Sequence, residues 1–95
     1  MDTQFCLVIT LKTTKGTENI GRFHLGNNRE KALGIFRKLK GTTEVNDTNM
    51  LSIEFRETKE ELPLNLKMIS CTLEQLAENC KLITKELFKS YNVGV

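Results

Sequence analysis

The sequence predicts an α+β fold, a two-layer ββαββα sandwich in which a four-stranded antiparallel sheet carries two helices on one face. Three observations lead there. Two pairs of alternating apolar runs are each joined by a short turn: residues 5–12 with 18–25, and residues 51–56 with 62–68. Each pair is followed by an amphipathic stretch whose apolar residues recur at the spacing of one helical stripe. The strand–strand–helix unit then repeats at a shift of 44 residues, which lays Leu7 on Leu51, Ile9 on Ile53 and Asn28 on Thr72. A hairpin hides one face and an amphipathic helix one stripe, so stacking both helices on one sheet face buries all of them together.

The first strand, FCLVITLK, is too short and too rich in β-branched residues for a helix. Thr14-Lys15-Gly16 reads as a three-residue hairpin loop with glycine at the position that favours positive φ. That loop sets Thr13 opposite Thr17, Leu7 opposite Phe23, Phe5 opposite Leu25 and Ile9 opposite Gly21. Asn28 is the N-cap of a helix running to about Lys40, with Ala32, Ile35, Phe36 and Leu39 on its stripe and Gly41 as its C-terminal glycine. Residues 42–48 are polar and aperiodic, a loop between halves 1–41 and 49–93 of one domain spanning 1–95.

In the third strand Leu51, Ile53 and Phe55 alternate with polar residues, and Thr58 to Glu61 turns the chain. In the fourth, Leu62, Leu64, Leu66 and Met68 alternate with Pro63, Asn65 and Lys67. Proline has no ladder donor, so this strand belongs at an edge. The first and third strands are the more continuously apolar and belong in the centre, giving the order 2-1-3-4. Thr72 to Gln75 is a capping box for the last helix. Its stripe comprises Leu73, Leu76, Ala77, Cys80, Ile83, Leu87, Phe88 and Tyr91, leaves Leu82 aside, and ends near Gly94.

The charge of +2 over 95 residues is too small to imply nucleic acid by itself. No apolar run approaches the ~20 residues of a membrane span, and the first residues do not read as an export signal. The thiols of Cys6, Cys71 and Cys80 therefore fit a reducing cytoplasm. They have no metal-ligand spacing, and no motif for a cofactor is present. Cys80, on the helical stripe, is expected to be buried and Cys6 more accessible.

His24 stands cross-strand from Cys6, but a thiolate nucleophile also needs an orienting group and an oxyanion pocket, and the sequence marks neither. The turn before Asn28 has one glycine, too few for a phosphate-cradling loop. The acidic turn at Glu57–Glu61 reads as a solvated loop. The segment 29–40 carries Arg29, Lys31, Arg37, Lys38 and Lys40 against Glu30, a candidate polyanion contact without interleaved aromatics. The sheet face away from the helices is expected to show Cys6, Val8, Ile20, His24 and Ile69 among polar neighbours, a mixed patch that a partner could cover. The function this suggests is a non-enzymatic interaction module that binds a protein partner or itself, as a homodimer through its open sheet face or an edge strand. The alternative is a nucleic-acid-binding accessory protein using the basic helix.

Overall fold

In the computed structural model, which describes residues 3–43, 50–60 and 62–92, the chain runs β1 (Thr3–Thr13), β2 (Gly16–Gly26), α1 (Arg29–Arg37), β3 (Leu51–Lys59), β4 (Leu62–Cys71) and α2 (Leu73–Asn92). The four strands form one antiparallel sheet in the order β2-β1-β3-β4. This is the expected order, with the most apolar strands in the middle and the proline-bearing strand outside. Of the segments read from sequence, residues 44–48 of the loop and Gly94 lie outside the described residues.

Phe5, Leu7 and Ile9 of β1 and Ile53 and Phe55 of β3 form one buried cluster with Ala32, Ile35 and Phe36 of α1 and Ile83 of α2. Both helices therefore cover the same sheet face. Burying an aliphatic or aromatic side chain of this size stabilises by about 1.5–3 kcal/mol. Aromatic stacking ties the layers together, with Phe55 lying between Phe5 and Phe36.

Three irregularities bend the simple alternation. In the first hairpin Thr13 pairs with Gly16 and not Thr17, so the turn is one residue tighter than expected. The offset disappears at Ile20, which has no partner between the pairs Thr10–Asn19 and Ile9–Gly21. Leu7 then faces Phe23 as predicted, but β2 skips again at Leu25, so Phe5 faces Gly26. In β4 the extra residue is Leu66, between the pairs Phe55–Lys67 and Arg56–Asn65. An inserted residue turns the period of two over by one position. Ile69 consequently lies opposite Ile53 in the core, which corrects its expected place on the open face, and Met68 takes that face instead. The second hairpin is also tight: Lys59 pairs with Leu62, and Glu60 adopts φ 53°. Without the glycine or asparagine that usually marks such a turn, the sequence reads as a longer one.

Asn28 caps α1, its Oδ1 accepting from the Lys31 N–H at 3.1 Å. The helix stops at Arg37, short of the expected Lys40, and closes with bonds from the Lys38 and Leu39 N–H groups to the Ile35 and Phe36 oxygens, both 3.1 Å. Gly41 is accordingly no helix cap. The chain there crosses the edge of β4, where Thr42 and Ser70 exchange backbone hydrogen bonds of 2.9 and 2.8 Å. A Cβ on Gly41 would sit 2.6 Å from the Ser70 carbonyl oxygen. Glycine is required by close approach.

The capping box of α2 is present as predicted: Thr72 Oγ1 accepts from the Gln75 N–H at 3.1 Å, and Gln75 Oε1 accepts from the Thr72 N–H at 2.9 Å. The buried stripe is rotated from the expected one. Leu76, Cys80 and Leu87 pack against the core, but so does Leu82, while Leu73, Ala77 and Phe88 are exposed. The Tyr91 side chain is not among those described. The helix is rolled toward Asn79, which is 1% exposed. Its amide holds the Lys40 backbone from both sides, Oδ1 accepting from the N–H and Nδ2 donating to the carbonyl, each at 2.8 Å.

Candidate functional site

A sheet recognises partners through its two edges and its uncovered face, and the three differ here in the side chains they present. The β2 edge is broken by the unpaired Ile20 and Leu25 and carries Glu18 and Arg22, features that discourage strand pairing. The far half of β4 is already occupied by Thr42. Among the described residues no strand or bridge pairs with the near half, residues 62–68, on its outer side, and this half is apolar. Leu62, Leu64 and Met68 are 71%, 54% and 43% exposed. Lys67 is the only charged residue in Leu62–Cys71. Pro63 removes one donor, yet the segment otherwise lacks the charges that blunt natural edges. The sequence did carry this signal, in a strand of ten residues with one charge, but read as plain alternation it looked like core.

The open face differs from the expected mixed apolar patch. Cys6 and Val8 are buried although they lie outside the cluster that the two described helices cover. Their cross-strand neighbours are long: Cys6 lies between His24 and Arg56, and Val8 between Arg22 and Glu54. Glu54 Oε2 accepts from the Arg56 guanidinium at 3.0 Å, and Thr10 and Ser52 join through their hydroxyls. Of the residues expected to form the interface, Ile20 and His24 are exposed, Cys6 and Val8 are shielded, and Ile69 is in the core. His24 and Cys6 are register partners, as read from the sequence, and no cluster of three or more His, Cys, Asp or Glu that could hold a metal occurs among the described residues.

The thiols also exchange places. Cys6 and Cys71 are buried and Cys80 is half-exposed, beside Lys81, Thr84, Lys85 and Phe88. Burial pushes the Cys71 thiol up, an effect partly offset by a hydrogen bond with Asn79, and burial also raises Cys80. Iodoacetamide should therefore modify Cys80 first in the folded protein, with Cys6 and Cys71 following only on unfolding. Mass mapping of partly alkylated protein checks the order, and early modification of Cys6 would contradict it.

The basic segment is partly neutralised. Arg29 pairs with Glu57 at 3.4 Å, Lys38 with Glu86 at 2.7 Å and Lys40 with Glu78 at 2.7 Å. The hydrogen bond from Lys40 holds the Glu78 carboxyl below its ordinary range, and that from Lys38 does the same for Glu86. Lys31 and Arg37 have no ion-pair partner among the described residues. The sequence reading missed Lys81, Lys85 and Lys89 of α2, spaced four apart, which line the seam beside Lys38. That helix carries three lysines and three glutamates, so its net charge conceals the row.

Comparison with protein-family models, curated proteins and solved structures gives no match to this chain. No helix among the described residues is long and apolar enough to cross a membrane.

Proposed function

We propose that the protein is a non-enzymatic interaction module that self-associates, two copies pairing antiparallel through the open half of β4. The observation that carries this reading is the apolar, nearly uncharged edge formed by Leu62, Leu64 and Met68. An antiparallel edge is self-complementary about a two-fold axis, which is the commonest symmetry of soluble oligomers. Pairing would satisfy the ladder groups of residues 62–68 that no described strand bonds and extend the four-stranded sheet to eight strands. A cytoplasmic setting fits the three free thiols.

Sedimentation equilibrium over a range of concentrations tests the proposal. The expected species has twice the 10.9 kDa chain mass. Leu64→Lys places like charges near the axis and should weaken association by roughly tenfold or more without lowering the melting midpoint. A chain that stays monomeric at millimolar concentration would overturn the reading. The second reading, nucleic-acid binding, is supported by the lysines that α2 presents at one seam beside Lys38, the residue that closes α1, with the three ion pairs against it. Salt-dependent retention of a short single-stranded DNA by the monomer would favour it.

A further inference from the structure

Gly34 lies in the interior of α1, where glycine is among the least favourable residues. Its backbone does not need positive φ, and a Cβ placed there would meet nothing within 4 Å. Neither the turn of the chain nor packing explains it. The absent side chain instead leaves open a cleft of about 460 Å³ between α1 and α2, a volume within the range of small-molecule sites. The cleft has apolar walls from Leu25, Ile35 and Leu87. Its polar lining is lopsided. Lys38 and Lys89 share the single carboxylate of Glu86, at 2.7 and 3.5 Å, and Lys31 has no partner among the described residues. Among the described lining residues, three ammonium groups against one carboxylate leave a local excess of two positive charges beside an apolar surface.

We propose that this cleft binds an amphipathic anion, its apolar chain lying over Gly34 and its anionic head held by Lys31 together with the lysines that flank Glu86. Lys31 is the recognition residue because its charge is not committed to any described residue. Lys38 and Lys89 can turn toward a ligand head while Glu86 keeps one of them. Glycine at position 34 is retained at a cost in helix stability because a side chain there would occupy the space of the ligand. The cleft shares no residue with the β4 edge, so its occupancy and self-association can fail separately.

Calorimetric titration of the full chain with decanoate and with decyl phosphate, both below their micelle-forming concentrations, tests the proposal. Saturable one-to-one binding of either probe is expected, and the tighter of the two identifies the head group. Decyltrimethylammonium, with the same tail and opposite charge, and acetate, with the head alone, should each bind roughly tenfold or more weakly. Amide shifts of Leu25, Gly34 and Leu87 should move on titration. Gly34→Leu should lose binding while melting no lower than the parent, and Lys31→Gln should weaken binding several-fold with the fold unchanged. Binding of decyltrimethylammonium as tight as that of decanoate, or undiminished binding to Gly34→Leu, would overturn it. A lower melting midpoint for Gly34→Ala would also overturn it, since the glycine would then have a packing role.

Discussion

Phe55→Ala is expected to lower the free energy of unfolding by about 3–5 kcal/mol, the range for deleting a buried ring. Phe55 is 1% exposed and belongs to a central strand. Its ring stacks on Phe5 at a centroid distance of 5.8 Å and on Phe36 at 5.5 Å, so one side chain joins β1, β3 and α1. Alanine would open a cavity bounded by two rings and remove both aromatic contacts, each worth roughly 0.5–1.5 kcal/mol beyond burial. Domains of this size have about 5–15 kcal/mol of stability in all, so this variant should unfold near the start of a urea titration. Phe55→Leu keeps most of the volume and should lose about half as much. A loss below ~1 kcal/mol for Phe55→Ala would mean that the layers are not joined through this ring.

The second large effect is expected at Asn79. Asn79→Ala should cost about 2–4 kcal/mol, because it leaves both an N–H and a carbonyl without a partner. Those groups belong to Lys40, which α1 no longer covers once it ends at Arg37. The asparagine amide acts there as a substitute strand, holding the chain in the position from which Gly41 and Thr42 reach the β4 edge. Asn79→Leu is the informative control, since it restores volume without hydrogen bonding and should be nearly as damaging as alanine. If leucine instead recovered the parent stability, the role of Asn79 would be packing alone. Denaturant unfolding with an unchanged slope would show that the loss lies in the native state.

These two sites differ in how far the sequence foretold them. Phe55 sits in an unbroken apolar–polar alternation, and its burial follows from that period. Asn79 is polar on an amphipathic helix, so periodicity assigns it to water, and the hydrogen bonds that reverse this assignment reach a residue 39 positions away. Cys6 and Val8 show the same limit on the sheet: they are buried on the face away from the main cluster, opposite arginine, histidine and glutamate of the two neighbouring strands. The lysines of α2 are a third case, because they become a basic surface only beside Lys38.

By itself the sequence determined the elements, their order, the caps at Asn28 and Thr72, the central place of β1 and β3, and the face that the helices cover. These depend on periodicity, on side chains bonding backbone within three residues, and on how much apolar surface each segment must hide. Only the tertiary structure decided the skips at Ile20, Leu25 and Leu66, the role of Gly41 and the roll of α2 onto Asn79. Each of those depends on a partner distant in the chain, and a single inserted residue reverses which face a strand buries without changing its composition. Local patterns record what a segment prefers, whereas register and close approach are set by the surface it meets.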